Sequence, residues 1–452
     1  MKTIVEPARD IPVIYEADVC VLGGSCTGVF AAVRAARLGA RVALVEKQNA
    51  FGGVAASGLV NIWHSIYDNE KQQKIISGLS EEVLNRLKRR GAVTDLEETL
   101  KTDQYNAYYF NSEELKIELD QLLQEAGVKV YLHTYYSAPY MGDGVLKGVI
   151  IENKSGRSAI CAKVFIDATG DGDLCVHLGV PSYVPEHIQP PTMCAKWYSP
   201  VLYDDHDVYR LFRAHREEFG LREDWGWHAF IPGAPQVTMR AETHVFDGNC
   251  ADADVLTYSE MEGRRQMRAL MDLIRKYDKN GKNLALVDLA SYIGIRETRH
   301  VKMNYRITEQ ELLQGKRYDD AILNGTYCVD IHHSNRRGST MRYLDGVEKI
   351  IEGDQPQIAR RWREETPENP GFYQVPYRAI QVTGVPNVLA AGRMMDAEEG
   401  AYGALRVMIN LNQLGEAAGC AAALAVQKGV ASSQVDAGAL RRTLKDGGSI
   451  VL

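Results

Sequence analysis

The fold is decided by Ala17-Asp-Val-Cys-Val-Leu-Gly-Gly-Ser-Cys-Thr-Gly-Val-Phe-Ala-Ala32 and its continuation Arg41-Val-Ala-Leu-Val-Glu46. An apolar run, a glycine cluster, a small-residue run and a second apolar run predict strand, turn, helix and strand. Gly23 and Gly28 take the first and last positions of a G-x-G-x-x-G turn, which aims backbone N–H groups and a helix N-terminus at a pyrophosphate. Glu46 ends the second strand, where an acid accepts the ribose hydroxyls. The stretch therefore predicts a dinucleotide-binding βαβ unit.

Two residues of the turn depart from the usual pattern. Ser25 stands where a middle glycine normally lets the backbone approach a phosphate. Its hydroxyl can bond a phosphate oxygen, although some clearance is lost. Cys26 follows at the helix N-terminus, where a thiolate would be favoured, although we prefer to interpret it as a buried small side chain. From these residues alone, a phosphate-free unit with a tight turn remains the alternative.

Composition excludes several classes of partner. The 452 residues have a formal net charge of −7 and 25% charged residues, without a basic block, which argues against nucleic acid or an anionic membrane surface as partner. Residues 1–10 lack the apolar core of a signal peptide. The longest apolar stretch, residues 401–430, is interrupted by Arg406, Glu416 and Lys428 and indicates a buried helix. We expect a cytoplasmic protein that binds neither membranes nor nucleic acid.

Eight scattered cysteines, with no C-x-x-C pair, argue against an iron–sulfur cluster or structural zinc and fit a reducing compartment. We therefore predict no metal site.

Local patterns place further elements along the chain. They predict a helix with Ser80 as N-cap, a loop or short strand over 94–110, a helix capped by Ser112 and running to about Ala126, a hairpin of 148–152 with 158–162, an apolar strand from Val164, and a long helix from about Ala401. Residues 176 to about 370 lack the strand–helix alternation and predict an inserted domain.

Four separated segments, residues 23–46, 52–58, 167–173 and 391–406, look like elements that let a phosphate or another ligand group approach the backbone, whereas a plain nicotinamide-binding Rossmann domain is contiguous. Six motifs lie in or between these segments: Gly23-Gly-Ser-Cys-Thr-Gly-Val-Phe-Ala-Ala, Phe51-Gly-Gly-Val-Ala-Ala-Ser-Gly-Leu-Val, Ile166-Asp-Ala-Thr-Gly-Asp-Gly-Asp, Ile295-Arg-Glu-Thr-Arg-His, Val329-Asp-Ile-His, and Ala391-Gly-Arg with Gly403-Ala-Leu-Arg-Val-Met. With these motifs the chain resembles the bacterial FAD-dependent oxidoreductases of the glutathione-reductase structural class.

The resemblance implies an α/β fold: a Rossmann-like FAD-binding domain assembled from discontinuous segments, with an inserted α+β substrate domain. The FAD-binding domain is expected to comprise residues 1–64, 111–175 and 371–452. The substrate or cap domain is expected to comprise residues 65–110 and 176–370.

The resemblance also implies non-covalent FAD, with adenine and ribose near 23–46 and the isoalloxazine between 52–58 and the start of the C-terminal helix, whose positive end would face the flavin. Arg393 stands where many relatives carry an acid for the ribityl chain, so it can contact phosphate instead. The cofactor-binding residues implied are Gly23, Ser25, Cys26, Thr27, Gly28, Glu46, Lys47, Gly52, Gly53, Ser57, Gly58, Thr169, Gly170, Asp171, Gly392, Arg393, Ala404 and Leu405.

Chemistry beside a flavin needs a proton acceptor for alcohol oxidation, or a proton donor and a cation for reduction of an activated double bond. His332, in the motif that the resemblance puts in the substrate half, is the preferred acid/base, with a hydrogen-bonded core histidine as the alternative. His64 is the second acid/base candidate. Arg296 and Arg299 are candidates for binding an anionic or polyol substrate, or for a structural ion pair with Glu297.

No second nucleotide fingerprint follows residue 60, and no C-x4-C pair is present. Electrons are therefore expected to pass through the substrate pocket, to dioxygen or to a partner protein. We predict oxidation of CH–OH in a small polar metabolite, sugar or polyol-like, by hydride transfer to flavin. A reductase of an activated C=C bond and a flavin-binding module without turnover remain alternatives.

Overall fold

The protein is described from a computed structural model, in residues 2–94, 107–222, 226–246, 248–335, 338–352 and 357–452. The helices are α1 (Cys26–Arg37), α2 (Leu79–Arg89), α3 (Ser112–Glu125), α4 (Asp173–His177), α5 (Asp205–His215), α6 (Ala253–Tyr277), α7 (Glu309–Leu313), α8 (Glu399–Leu405), α9 (Met408–Lys428) and α10 (Ala437–Asp446). Over the described residues, none of these helices is long and apolar enough to cross a membrane.

Most of the strands are short, and all those in the described residues belong to one of seven separate sheets. They are β1 (Val13–Glu16), β2 (Val19–Leu22), β3 (Val42–Val45), β4 (Ile62–Trp63), β5 (Tyr108–Tyr109), β6 (Lys129–Tyr131), β7 (Tyr135–Gly142), β8 (Val145–Asn153), β9 (Gly156–Cys161), β10 (Val164–Asp167), β11 (Ser182–Tyr183), β12 (Ala195–Tyr198), β13 (Trp227–Phe230), β14 (Val237–Ala241), β15 (Ala285–Leu289), β16 (His300–Val301), β17 (Ala321–Gly325), β18 (Val329–His332), β19 (Ser339–Arg342), β20 (Val347–Ile351), β21 (Ile358–Arg361), β22 (Tyr373–Pro376) and β23 (Val388–Ala390).

A five-stranded parallel sheet of order β23-β10-β2-β3-β6 forms the centre of the fold. Four of its strands, all but β6, are buried along their whole length, as expected of a parallel sheet covered on both faces. Its strands come from the start, the middle and the end of the chain. The predicted α/β fold with a Rossmann-like unit assembled from discontinuous segments is therefore confirmed.

One face of this sheet is covered by α1 and α9, whose backbones touch. A Cβ added to Gly415 would overlap Thr27 O, and one added to Gly419 would overlap Ala31 O. The opposite face packs against the sheet of order β1-β9-β8-β7, which contains the predicted hairpin as β8 and β9. Two glycines one helical turn apart therefore let α9 lie against α1 without intervening side chains.

The segment between β10 and β23 carries mostly antiparallel sheets and contributes to more than one core. In the sheet β13-β14-β12-β15, strands β12 and β15 pack with α5 and α6 around one core, while residues of β13 and β14 belong to another. Residues of β17, β18 and β22 belong instead to the main core, as do residues of α2. The domain boundaries at 64, 110, 175 and 370 stay predictions.

Two helix starts differ from the sequence-based expectation. Helix α2 begins at Leu79 after Gly78, so Ser80 is not its N-cap. The buried carboxylate of Glu416, on α9, accepts the Leu79 N–H at 3.1 Å and takes the place of a capping side chain. Helix α3 is capped by Asn111, whose side chain accepts the Glu113 N–H.

The prediction of one long helix from Ala401 is wrong. The chain forms α8 and α9, separated at Val407, which has extended backbone angles. The Ala404 carbonyl, which an unbroken helix would bond to the N–H four residues on, accepts from Tyr373 Oη at 3.3 Å and Asn410 Nδ2 at 3.0 Å instead. Of the predicted loop or short strand at 94–110, β5 is a short strand and residues 95–106 lie outside the described residues.

Candidate cofactor and active site

A cavity of about 1300 Å³ lies at the carboxyl ends of the central strands. Ligand pockets usually measure about 300–1,000 Å³, so this one has room for a large ligand and a second small molecule. All four glycine-bearing segments reach it. The predicted cofactor residues that line it are Gly23, Ser25, Cys26, Thr27, Glu46, Lys47, Gly52, Gly53, Ser57, Gly58, Thr169, Gly170, Asp171, Gly392 and Arg393.

Three predicted cofactor residues do not line this cavity. Gly28 serves the packing of α1, since a Cβ there would overlap Gly23 O. Ala404 and Leu405 are fully buried in α8. The cavity is instead bordered by Arg406, Val407 and the first turns of α9, because the helix break moves the exposed N-terminus to Met408.

The N-terminus of α1 opens onto the cavity. Its N-cap residue, Ser25, makes no side-chain capping hydrogen bond. The first N–H groups of a helix lack intrahelical partners and carry the positive end of its dipole. The side chain of Cys26 is 2% exposed and burial raises its pKa to about 12, so it is a buried thiol. This end of the cavity can hold an anionic group.

Glu46 is fixed against the same wall by two backbone groups. Its carboxylate accepts the Gly24 N–H at 2.5 Å and the Gln48 N–H at 2.7 Å. Burial raises the pKa of Glu46, while these two N–H groups act in the opposite direction. Each carboxylate oxygen has a second lone pair, so ligand hydroxyls can still bond to it.

Asp171 forms an ion pair with Arg393, and both residues line the cavity. It accepts from Arg393 Nη2 at 3.1 Å and from Thr298 Oγ1 at 2.8 Å. Arg299 does not line the cavity. It donates to the Asp171 carbonyl at 2.6 Å and pairs with Asp173 at 2.6 Å, contacts that hold this loop, and its binding of a substrate stays a prediction.

Arg296 does line the cavity. Its Nη1 donates to Pro190 O at 2.8 Å and to Thr192 Oγ1 at 2.5 Å. Glu297, its chain neighbour, is buried and bonded by His300 Nε2 at 2.9 Å and by the Gln189 N–H at 2.9 Å.

A carboxylate that the sequence analysis did not single out, Asp330, organises the far end of the cavity. Its Oδ2 accepts from Tyr327 Oη at 2.9 Å and Arg406 Nη2 at 2.9 Å, and lies 3.5 Å from His332 Nε2. Burial opposes ionisation, but His332, Arg406 and Tyr327 together hold the pKa of Asp330 well below its usual range. The group is therefore a buried carboxylate ion.

Both candidate histidines border this carboxylate cluster and line the cavity. Burial lowers the pKa of His332 to about 3 even though Asp330 acts to raise it. Burial also lowers the pKa of His64 to about 4, and the His64 ring lies 4.1 Å from the Tyr327 ring, centroid to centroid. Both imidazoles are therefore neutral at neutral pH, and burial disfavours their protonated forms.

Some buried polar atoms of the cavity wall have no hydrogen-bond partner within the described protein. Such atoms indicate where the donors and acceptors of a polar ligand would bind. Leaving such a group unpaired costs about 1–3 kcal/mol. Asn412, on α9, is fully buried, and both atoms of its carboxamide are unpartnered. Among the cavity-lining side chains that the structure describes, the other unpartnered atoms are Ser57 Oγ, His64 Nδ1, Asp330 Oδ1, Arg393 Nη1 and Arg406 Nε. Donors and acceptors distributed along one large cavity fit a dinucleotide with a polar molecule beside it.

The sequence analysis identified the glycine-bearing segments and both histidines of this cavity, but assigned no role to Asp330, Tyr327 or Asn412. Asp330 lay inside the quoted motif Val329-Asp-Ile-His, so its position was available although no role was assigned to it. Tyr327 and Asn412 carried no local signal.

A family model described as FAD dependent oxidoreductase matches residues 18–444. No curated protein sequence matches the chain significantly. Among solved structures, the chain is similar to a geranylgeranyl bacteriochlorophyll reductase-like protein (Ta0516) from Thermoplasma acidophilum, with 12% identity, coverage of 95% of this chain and 83% of that one, and a TM-score of 0.47. It is also similar to p-nitrophenol 4-monooxygenase PnpA from Pseudomonas putida DLL-E4, with 11% identity, coverage of 95% and 85%, and a TM-score of 0.46. Likenesses at this level carry no argument about the substrate.

Proposed function

The chain belongs to the family of FAD-dependent oxidoreductases, and from that premise we propose that it oxidises a CH–OH group of a small polar metabolite, sugar or polyol-like. The protein is an enzyme and its cofactor is FAD. When bound, FAD supplies the acceptor for the hydride. The observation that carries the proposal is geometric: His64, His332 and the buried Asp330 carboxylate line the same cavity as the glycine-rich segments, with His332 Nε2 3.5 Å from Asp330 Oδ2.

The cofactor is assigned to the part of the cavity formed by the four segments. The N-terminus of α1 with Ser25 would receive the pyrophosphate, and Glu46 the ribose hydroxyls. The unpartnered Arg393 Nη1 would donate to a phosphate or ribityl oxygen. The N-terminus of α9, with Asn412, would stabilise negative charge on the ring system.

Removal of the hydroxyl proton is assigned to His332, with His64 as the second candidate. A neutral imidazole accepts this proton as the C–H bond breaks. Desolvation disfavours the resulting imidazolium, and the Asp330 carboxylate, 3.5 Å from His332 Nε2, offsets part of that penalty. Asp330 also orients the His332 ring.

Reduction of an activated C=C bond is the alternative reaction. It calls for a cation that holds a carboxylate or enolate. The cavity offers Arg296 and Arg406, but the partners described for them are protein groups: Pro190 and Thr192 for the first, Asp330 for the second. Because both guanidinium groups already bind protein groups, they are less suited to hold a substrate carboxylate or enolate, and this favours alcohol oxidation. Dioxygen and a partner protein both remain proposals for the electron acceptor.

The test is anaerobic mixing of the FAD-loaded enzyme with a panel of sugars, polyols and hydroxy acids. A hydroxyl compound in the panel should bleach the flavin absorbance. If none does, the proposal is wrong. Reoxidation of the reduced enzyme by an enoate under nitrogen would then support the alternative reaction.

The base is tested separately with His332→Ala and His64→Ala. Loss of a general base should slow flavin reduction about 10²- to 10⁴-fold, with FAD content unchanged. The control is His215→Ala, because His215 stacks on Tyr277 away from the cavity. If neither cavity variant slows reduction more than the control, the base assignment is wrong while the alcohol oxidation stands.

A further inference from the structure

The two carboxylate oxygens of Asp330 differ in their hydrogen bonding. Oδ2 is bonded by Tyr327 and Arg406, while Oδ1 is buried and unpartnered among the described residues. The residue is 3% exposed and lines the cavity. We propose that Asp330 Oδ1 accepts a hydrogen bond from a second substrate hydroxyl, on the carbon next to the one that is oxidised. The inference rests on the proposed alcohol oxidation and narrows its substrate to vicinal diols.

The chemistry of the group determines what it can bind. An ionised carboxylate has only acceptors, so its ligand must bring a donor. The charge of Asp330 is already balanced by Arg406, whose Nη2 lies 2.9 Å from Oδ2. An ammonium group would add an excess positive charge to a desolvated pocket, whereas a hydroxyl adds none. A neutral hydroxyl is therefore the favoured donor.

The location of His332 indicates which hydroxyl this is. Its ring nitrogen Nε2 lies 3.5 Å from Oδ2 of the same carboxylate. The proton acceptor for the reacting hydroxyl and the acceptor Oδ1 are thus on two groups in direct contact. A substrate that reaches both at once carries its two hydroxyls close together, as on neighbouring carbons.

A substrate without the second hydroxyl leaves Oδ1 unpaired. The free energy of one hydrogen bond to a charged group, converted to a ratio of rate constants, gives the expected preference. We predict that kcat/KM for the vicinal diol exceeds that of its deoxy analogue by about 10- to 150-fold. Removing a hydroxyl at a remote carbon should leave this preference unaffected.

The experiment pairs each sugar or polyol that bleaches the flavin with two analogues. One lacks the hydroxyl next to the oxidised carbon and the other lacks a remote hydroxyl. The rate of anaerobic flavin reduction gives the discrimination ratio in the wild-type enzyme, so the result does not depend on any variant folding. A β-amino alcohol of the same skeleton tests the ammonium alternative.

Two variants assign the ratio to Asp330. Asp330→Asn converts a charge-assisted bond to a neutral one, and the ratio should fall to about 2- to 12-fold. Tyr327→Phe removes a donor to Oδ2 without touching Oδ1, so the ratio should stay at its wild-type value whatever happens to the absolute rate. Flavin absorbance of each purified variant reports FAD content.

The outcomes are distinct. If no hydroxyl compound reduces the flavin, the proposed function fails and this inference falls with it. If diols and their deoxy analogues react equally, or the amino alcohol reacts faster than the diol, the role of Oδ1 is wrong while alcohol oxidation stands. A ratio unchanged in Asp330→Asn would likewise overturn the assignment to Asp330.

Discussion

Replacing Asn412 by leucine should stabilise the apoprotein and weaken FAD binding at the same time. The residue is fully buried on α9, and neither carboxamide atom has a partner in the described structure. Water does not reach these atoms, so the apoprotein carries the cost of an unpaired polar group. Leucine has a similar shape and no such cost, which predicts a gain of about 1–3 kcal/mol in the free energy of unfolding without cofactor.

The effect on the cofactor has the opposite sign. If FAD binding turns the carboxamide towards the cavity, so that it donates one hydrogen bond to FAD and accepts another, each bond contributes about 0.5–1.5 kcal/mol, and their loss should raise the Kd of FAD about 5- to 150-fold. Urea unfolding of the apoprotein gives the first quantity, and quenching of FAD fluorescence on titration gives the second.

Asn410 provides a matched control one half-turn away on the same helix. Its Nδ2 donates to Tyr373 Oη at 2.9 Å and to Ala404 O at 3.0 Å, so Asn410→Leu should destabilise the apoprotein. Our reasoning would be refuted if Asn412→Leu destabilised the apoprotein as the control does, or if it left the Kd of FAD unchanged.

Three further predictions concern stability. Glu416→Gln leaves the buried Arg34 guanidinium without its counter-charge and should lower the free energy of unfolding in urea by about 3–5 kcal/mol. Gly415→Ala places a methyl group against Thr27 O between α1 and α9 and should cost about 1–3 kcal/mol in the same assay. The apoprotein should lose stability as pH falls from about 6.5 to about 4, because an unfolded histidine takes up a proton near 6.5 that His64, with a pKa of about 4, resists. His64→Gln should weaken this dependence in urea midpoints measured across that range without abolishing it, because His332, with a pKa of about 3, contributes in the same direction.

Each of these changes has a control elsewhere in the chain. Glu82→Gln breaks an ion pair with Arg37 that is about one-third exposed, so it should cost under about 1 kcal/mol. Gly438→Ala adds a Cβ at ordinary or slightly close distances within α10 and should not destabilise. His215→Gln is the matched control for the substitution itself, since His215 does not line the cavity. Equal effects in a variant and its control would contradict the corresponding prediction.

The sequence by itself determined the scaffold and much of the cofactor cradle. The turn from Gly23 to Gly28 and the acid Glu46 could be read directly, because a phosphate-approaching strand–turn–helix imposes its glycines, small residues and terminal acid within about 30 adjacent positions. The later glycine segments also indicated, from their local sequence, a close approach to a ligand. That they converge on one edge of the sheet was an expectation from the family resemblance. His332 and His64 were identified as candidates, but nothing local distinguished their roles.

Only the tertiary structure decided where the C-terminal helix begins and which carboxylate organises the chemistry. Tyr373 and Asn410 take the Ala404 carbonyl and divide one apolar stretch into α8 and α9. Asp330 gains its role from Tyr327, Arg406 and His332, and Arg406 comes from 76 positions further along the chain. In each case one decisive partner is distant in sequence, Tyr373 for the Ala404 carbonyl and Arg406 for Asp330. Nothing in the local sequence around these partners predicts the contact. Their effect exists only once the sheet has brought them together.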